Sequence, residues 1–465
     1  MTDITPWARR FMDLDDESIA RRTRFVPDRV SNLDSMSAGA ASAILYRTLG
    51  MIFVATSQRI RVIRRIIGMA QGHSQEAYPD NRTFLARLYS PSEEPVPHPA
   101  ICLTGLAGGG KSALLKAVGR LMPDENCDTG AGHLLRLRSF LHVAVKEHDT
   151  DASVFNSLHK LLQQGSDTTP DSFVATYGEK AVSKRAGSVS RYMPLVRLGV
   201  FRDGVAMVLL DELQFLAQGD ATTRISKTLL LHTYLGPPLL YTANYDMVHR
   251  LLKRAQQYRD RLLSNPVVLL PDSLTCTEEF DSWVDYLKEV LHVSNGTLKF
   301  NLTADAELLH RYSFGLRRKL LHLAQIAYGH ARESGRLCAG LADFEWAYRS
   351  SQYHVHRADI EELVRIELGS GTRSRKLDLL CPFDIDPDIK QASKKFHEAQ
   401  LKEKVAQQAL AASLRPEEAA DYATAGGNIA GAGAASRSLS GRSRVKVPLS
   451  TESLADGHKR FHGGS

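Results

Sequence analysis

Five short apolar runs recur along the middle of the chain. They occupy residues 100–104, 139–145, 205–210, 238–242 and 266–270, and segments with apolar residues at helical spacing lie between them. Runs of this kind are typical of strands that are buried on both faces of a parallel sheet. The alternation therefore predicts an α/β domain, with a parallel sheet flanked by helices.

The pattern changes on both sides of this region. After residue 273 only helical periodicity remains, which predicts a small helical domain. Residues 1–35 are polar and Arg-rich and predict an irregular arm, whereas Ser37 to about Ala70 is mostly helical. The end of that segment, RIRVIRRIIGMA, has a broad apolar face with arginines around it. It indicates an amphipathic helix docked on the core, and a helix lying on a membrane surface is the alternative.

These shifts divide the chain into five predicted regions. They are an N-terminal arm with helices (1–97), the α/β domain (98–272), a helical lid (273–350), a C-terminal helical extension (351–410) and a tail (411–465). The tail is rich in Ala, Gly and Ser and has only two aromatic residues, Tyr422 and Phe461. It cannot bury a core, so we expect it to be disordered.

Composition narrows the setting of the protein. The chain has 465 residues, of which 43% are hydrophobic, enough for two or three domains. Its five cysteines form no C-x-x-C, which argues against a disulfide framework or a zinc finger. The N-terminal residues have no apolar signal-peptide core, so we expect a cytoplasmic protein without a membrane partner. The net charge of +7 is compatible with nucleic-acid binding but does not require it.

A glycine-rich stretch follows the first apolar run. GLAGGGKS matches G-x-x-x-x-G-K-[ST], and the segment behind it is helical up to Pro123. Strand, loop and helix in this order place backbone N–H groups and a helix N-terminus around phosphates. A flexible glycine turn is the alternative. The residues expected to contact ATP are Gly105, Gly108, Gly109, Gly110, Lys111, Ser112 and Ala113.

Two carboxylates follow the third apolar run. VAMVLLDELQFLA places Asp211 and Glu212 at the end of a strand, 100 residues after Lys111. Ligands of α/β sheets bind at the carboxyl ends of strands, so both side chains should face the phosphates. We expect Asp211 and Ser112 to hold Mg²⁺ and Glu212 to polarise the attacking water. A bare strand terminus is the alternative.

Further polar residues follow the last two runs. LLYTANYD offers Thr242 and Asn244 at the same sheet edge, and a polar group there can position the lytic water, as the sensor-one residue does in AAA+ ATPases. We expect Asn244 to do so, with Thr242 left open. Arginines 254, 259 and 261 precede the last strand, where one of them can reach a neighbouring subunit's γ-phosphate. Arg259 and Arg261 are the expected catalytic pair, and a solvated helix face is the alternative.

The order of these features resembles the TnsC/TniB family of AAA+ ATPases, which regulate transposition. The likeness covers residues 98–350, and its most specific parts are LLDELQFL and the helix around Trp283. It implies an AAA+ P-loop fold with a helical lid, in which Arg318 of FGLRRKLL contacts the nucleotide. YTAN departs from the family's usual G-T.

The resemblance also implies partners. Such a protein binds double-stranded DNA when loaded with ATP, forms a ring or helical filament, and links a target-selection protein to transposase subunits. In this family the segment before the D-E strand faces the DNA. Here that segment, 179–204, is strongly basic, and a solvated loop is the alternative. The candidate DNA contacts are Lys184, Arg185, Arg191 and Arg197.

Two other functions compete with this interpretation. An Orc/Cdc6-like replication ATPase or a helicase loader shares the G-x-x-R lid and the D-E strand. Such proteins usually carry a winged-helix domain after the lid, and residues 351–410 show no strand-turn-strand pattern. The other is a nucleotide-gated signalling switch that does not use DNA, which predicts slow turnover and no stimulation by DNA.

Overall fold

A computed structural model describes eight stretches of the chain. They are residues 6–12, 14–89, 97–128, 134–146, 149–163, 188–213, 221–369 and 376–413. The expected disordered tail, apart from its first residues up to 413, lies outside the described residues, and so do Lys184 and Arg185.

In the described residues before the sheet there are five helices. They are α1 (Pro6–Arg9), α2 (Asp16–Thr23), α3 (Ala38–Leu49), α4 (Ser57–Ala77) and α5 (Asn81–Tyr89). The expectation of an irregular arm over residues 1–35 was therefore wrong for α1 and α2. The Asp15 side chain caps α2 by accepting a hydrogen bond from the Ser18 N–H at 2.8 Å, a local signal that outweighs the polar composition.

Helix α4 docks on the sheet through its apolar face. Val62, Ile63, Ile66 and Ile67 are buried together with Ile101 and Leu103 of the first strand. Arg61, Arg64 and Arg65 of the same helix are exposed. Helix α4 is therefore an amphipathic helix docked on the core, as predicted. Packing against the sheet removes its apolar side chains from water, which stabilises this arrangement.

The central sheet has five parallel strands in the order β4-β5-β6-β1-β7. They are β1 (Ile101–Gly105), β4 (Phe140–Ala144), β5 (Met207–Asp211), β6 (Leu239–Ala243) and β7 (Asn265–Leu269). All five fall on the predicted apolar runs. A short antiparallel pair, β2 (Glu125–Asp128) and β3 (Leu134–Leu137), was not predicted.

Helices cover both faces of this sheet. The remaining helices of the region are α6 (Lys111–Leu121), α7 (Asp151–Gln163), α8 (Val189–Arg202), α9 (Ala221–Thr233), α10 (Tyr245–Leu252) and α11 (Gln256–Leu262). Ile101 and Leu103 pack with residues of α4 and α6, whereas Cys102 packs with residues of α7 to α10. Successive strand residues point to opposite faces, so one apolar strand supplies two cores.

The segment after β7 is helical, as predicted. Its helices are α12 (Thr277–Ser294), α13 (Ala306–Ser313), α14 (Arg317–Glu333), α15 (Leu341–Arg349) and α16 (His354–Glu367), with a 3₁₀ turn at Ser351–Tyr353. Trp283 is fully buried, and its indole N–H donates to the Ala306 carbonyl at 3.0 Å. Helix α14 packs against α3, so the N-terminal region contributes to the lid.

The chain divides into two compact units, Met1–Leu363 with Arg373–Asp384, and Val364–Thr372 with Ile385–Ser465. Helix α17 (Pro387–Ser413) belongs to the second unit and lies mostly within the predicted C-terminal helical extension (351–410). Within the described ranges, no helix has the length and apolarity that crossing a membrane requires.

Candidate nucleotide site

The glycine-rich loop joins β1 to α6 and is shaped by its glycines. Gly108 and Gly110 have φ angles of 83° and 97°, which residues with a side chain rarely adopt. At Gly105 an added Cβ would lie 2.4 Å from the Leu269 carbonyl oxygen, so only glycine fits beside β7. Gly110 begins α6 without a side-chain cap, which leaves the first N–H groups of the helix for an anion.

Lys111 sits at the first position of α6 and turns its ammonium into the loop. Nζ donates to the carbonyls of Gly105 at 2.7 Å and Leu106 at 3.0 Å. Burial, together with the positive charge of Arg318, lowers the pKa of Lys111 to about 8. The side chain is therefore a partly desolvated cation, already held inside the cradle that phosphates would enter.

The two carboxylates lie at the end of β5, beside Ser112. Asp211 Oδ1 accepts from the Thr242 hydroxyl at 2.5 Å and from the Glu212 N–H at 3.0 Å. The Ser112 hydroxyl is 3.5 Å from Glu212 Oε1. Glu212 has a φ of 60°, an uncommon conformation for a residue with a side chain, and this turn aims its carboxylate at the loop.

The two candidates for the sensor position behave differently. Thr242 is buried at the end of β6 and is bonded to Asp211, whereas Asn244 begins α10 and its side chain makes no capping bond. Both residues line the cleft. The structure therefore links Thr242 to the metal-binding candidate and leaves Asn244 beside it.

The donor set at this end of β5 fits a hard cation. A serine hydroxyl and carboxylate oxygens are ligands that Mg²⁺ accepts, with phosphate oxygens and waters completing its shell. Within the described ranges, no group of three or more His, Cys, Asp or Glu side chains is gathered for a metal ion. A magnesium ion here would therefore be held jointly by Ser112, Asp211 and a nucleotide.

A cleft of about 340 Å³ opens between the loop, the strand ends, the lid and the N-terminal region. From the lid, Arg318 is exposed and lies against Gly108, where an added Cβ would meet Arg318 Cβ at 3.0 Å. Part of the wall comes from the N-terminal region, from Tyr46, Arg47 and the stretch 50–53. No motif in the sequence predicts that this region lies at the site.

A second group at the cleft was also not anticipated: Arg59, Asp272 and Arg317. The Arg59 Nη1 donates to Asp272 Oδ1, and Arg317 Nε donates to Asp272 Oδ2 at 2.7 Å. Burial alone would raise the pKa of Asp272, but Arg317 and Arg59 outweigh it and lower that pKa to about 2. The sequence signal that could have revealed Arg317 is its position next to Arg318. Adjacent residues of a helix point in different directions, so the two arginines can contact different groups.

The remaining candidates lie elsewhere. Arg259 and Arg261 are exposed on α11 and are not among the described residues that line the cleft. Arg261 donates to the Tyr234 hydroxyl at 3.1 Å, and the Arg254 guanidinium lies 5.0 Å from the Tyr258 ring centroid. On α8, Arg197 Nε donates to the Tyr234 carbonyl at 2.8 Å, while Arg191 lies half-buried near the start of the helix.

The sheet and loop together confirm the predicted α/β fold, a parallel sheet flanked by helices with a phosphate-type loop after β1 and a small helical lid. The phosphate loop follows β1, which lies between β6 and β7 in the sheet. The two carboxylates come at the end of β5, on the far side of β6 from β1, and a helical lid comes after β7. The ligand crevice of such sheets lies at the carboxyl ends of the strands, which is where all these groups meet.

Comparison with known proteins gives only distant likenesses. No protein-family model and no curated protein matches this sequence. The structure is similar to that of the Aeropyrum pernix ORC1 protein in complex with DNA, at 18% identity, covering 64% of this chain and 68% of that one with a TM-score of 0.32. It is also similar to Cdc6p from Pyrobaculum aerophilum (14% identity, 68% and 78% covered, TM-score 0.37). It is similar as well to Drosophila ORC bound to DNA, at 14% identity, covering 80% of this chain and 87% of that one with a TM-score of 0.36.

Proposed function

We propose that this protein binds and hydrolyses ATP. The observation that carries the proposal is the meeting of Lys111 and Ser112 with Asp211 and Glu212 in one cleft, which Arg318 of the lid also lines beside Gly108. The N–H groups of the loop and Lys111 bind the phosphates, and Ser112 and Asp211 hold Mg²⁺. A bound Mg²⁺ would supply charge neutralisation on the phosphates. Glu212 orients the attacking water and accepts its proton.

Substitutions at Glu212 and Lys111 test this proposal. A carboxylate that orients water acts mainly in the transition state, whereas Lys111 contacts the phosphates before reaction as well. Glu212→Gln should therefore keep ATP affinity and lose turnover, about 100-fold or more for a lost general base. Lys111→Ala should weaken both. Equal ATPase rates in wild type and Glu212→Gln protein would contradict the assignment.

At a finer level, we propose that the protein regulates DNA transposition. The support is the order of motifs that resembles the TnsC/TniB family, together with the tryptophan helix, whose Trp283 is fully buried in the lid. In this function ATP-loaded subunits assemble on double-stranded DNA as a ring or filament. The assembly then connects a target-selection protein to transposase subunits.

An Orc/Cdc6-like initiator or a helicase loader is the second candidate. It would normally carry a winged-helix domain after the lid, and the described residues between 351 and 410 contain helices but no strand. Electron microscopy with duplex DNA and a slowly hydrolysed ATP analogue separates the candidates. Continuous filaments or stacked rings support the transposition regulator, and isolated complexes on DNA support a loader. If DNA neither stimulates the ATPase activity nor causes the protein to assemble, the result supports a signalling switch.

A further inference from the structure

The Arg59–Asp272–Arg317 cluster joins three parts of the molecule that the sequence separates widely. Arg59 belongs to the first turn of α4, Asp272 to the segment after β7, and Arg317 to the first turn of the lid helix α14. All three are buried, with 2%, 7% and 8% of their surfaces exposed. The cluster is therefore inside the protein, where water does little to screen its charges.

The charges within this cluster do not balance. Among the described residues, the carboxylate that pairs with both guanidinium groups is that of Asp272, so two cations share one anion. Burial and the charge of Arg317 lower the pKa of Arg59, which reflects the same crowding of positive charge. An uncompensated charge in a buried site costs free energy unless an anion joins it.

One nitrogen of the cluster is left without a hydrogen-bond partner among the described residues. Arg317 donates through Nη1 to the Val54 carbonyl at 2.9 Å and stacks on Tyr286 at 4.2 Å. Its Nη2 is buried and has no hydrogen-bond partner in the described part of the chain. Arg59 and Arg317 both line the cleft that holds the phosphate loop. A buried donor left without a partner is costly and marks a place where a ligand can bind.

Arg59 also contacts the phosphate loop itself. Its Nη2 lies 3.4 Å from the Gly109 carbonyl oxygen, and a Cβ at Gly110 would lie 3.7 Å from the same nitrogen. The guanidinium thus bridges the loop and Asp272. The Asp272 backbone is in turn tied to the lid, because its carbonyl lies 2.7 Å from His310 Nε2 and its N–H donates to Gly315 at 3.2 Å.

We propose that the excess positive charge of the Arg59–Asp272–Arg317 cluster is part of the nucleotide site and is balanced by nucleotide phosphates. Arg317 Nη2 supplies a donor to the phosphates, and Arg59 is a positioning residue that holds Arg317, through Asp272, against the loop. Helix α4 and the lid thereby respond together to the presence of a polyphosphate. This inference rests on the proposed ATP binding.

The charge imbalance gives the inference an unusual test. Replacing Arg59 by Met removes the surplus cation and leaves a balanced Arg317–Asp272 pair. If the surplus serves the ligand, the full-length Arg59→Met protein should unfold at the same temperature as wild type, or higher, without nucleotide. Its Kd for a slowly hydrolysed ATP analogue should rise about tenfold, because the surplus positive charge beside the phosphates is lost and Arg317 is no longer held against the loop. ADP, with less phosphate charge, should be affected less.

Arg317→Met leaves the balanced Arg59–Asp272 pair and should behave in the same way, so it decides the matter if Arg59→Met protein does not fold. Arg61→Met removes an exposed arginine from the same helix and is the matched control, with no expected change. Calorimetric titration and thermal unfolding measure both quantities.

The outcomes separate this inference from the proposed function. If wild type binds neither nucleotide, both fail. If wild type binds the analogue and Lys111→Ala does not, ATP binding stands. An affinity equal to that of wild type in Arg59→Met and Arg317→Met, with a lowered unfolding temperature, would then show that the cluster is only structural and would overturn the inference.

Discussion

At the scale of single residues, the site combines groups that a motif can reveal with groups that it cannot. Lys111, Ser112, Asp211 and Glu212 follow from the sequence, because the chemistry of phosphates fixes their spacing from strand ends. Arg59 follows from nothing local, since it is one arginine among several on α4. Only the packing of α4 on the loop distinguishes it from its exposed neighbours.

The pKa of Lys111 predicts how ATP affinity depends on pH. A value of about 8 lies below the ordinary lysine value, so the site loses this charge as pH rises through 8. The charged ammonium attracts phosphates and the neutral amine does not. Between pH 7.5 and 9 the Kd for ATP should therefore rise roughly eightfold, as the charged fraction falls. Titrations at both pH values measure this, and Lys111→Arg, which stays charged, should show a flat profile. A flat profile in wild type would contradict the prediction.

Thr242 and Asn244 can be told apart by their dependence on magnesium. The Thr242 hydroxyl donates to Asp211 at 2.5 Å and so fixes the carboxylate expected to hold Mg²⁺. We expect Thr242→Val, which keeps the shape of the side chain, to raise the Mg²⁺ concentration for half-maximal ATPase severalfold, because neighbours of ligands tune metal affinity about 10-fold or more. Asn244→Ala should lower the rate at saturating Mg²⁺ without that shift. The opposite pattern would assign the two roles the other way.

At the scale of elements, helices and strands with a clear hydrophobic pattern could be predicted from the sequence, whereas the shortest helices and strands could not. All five strands of the main sheet lie on predicted apolar runs, because burial on both faces demands such runs. The pair β2 and β3 was missed, since ENCD and LLRL are four residues each and carry polar residues. Helices α1 and α2 are short too, and their packing rather than their period keeps them in place.

Helix α11 carries the prediction about neighbouring subunits. Arg259 and Arg261 are exposed and are not among the described residues of the cleft, so any role in ATP hydrolysis would be at another subunit's nucleotide. An Arg259→Ala/Arg261→Ala double variant and Lys111→Ala should each be inactive alone. Mixed, they should regain part of the ATPase activity, because one kind of interface then has both an intact loop and intact arginines. A trans arginine contributes about 10³-fold or more to the rate, so even partial recovery is measurable.

The control for that experiment is Arg254→Ala. This arginine stacks on Tyr258 within the same region of the chain. Arg254→Ala protein should keep its own ATPase activity. Mixing it with Lys111→Ala protein should therefore not raise the rate above that of Arg254→Ala protein alone. ATPase that stays proportional to protein concentration at every dilution would contradict a shared active site.

At the scale of the whole molecule, the N-terminal region is the largest departure from the sequence-based picture. Ser37 to about Ala70 was predicted to be helical, with one helix docked on the core, but the packing of α3 on the lid helix α14 and the contact of α4 with the phosphate loop were not predicted. Contacts between segments that are far apart in the sequence leave no periodic trace in either one, and this holds both for α4 with the loop and for α3 with α14. The boundaries of the five regions stay a prediction.

The net charge of +7 leads to the last prediction, which concerns DNA. If the basic segment 179–204 tracks phosphates, binding to random duplexes should require ATP and weaken steeply with salt, and each lost contact should lower the log-log salt slope by roughly 0.9. Lys184→Ala with Arg185→Ala should therefore reduce both affinity and slope, without changing ATP affinity in the absence of DNA. Arg197 is the informative comparison, because its side chain already donates to the Tyr234 carbonyl and should matter more for the unfolding temperature than for the slope. A Lys184/Arg185 double variant with the affinity and salt slope of wild type would place the DNA on another surface.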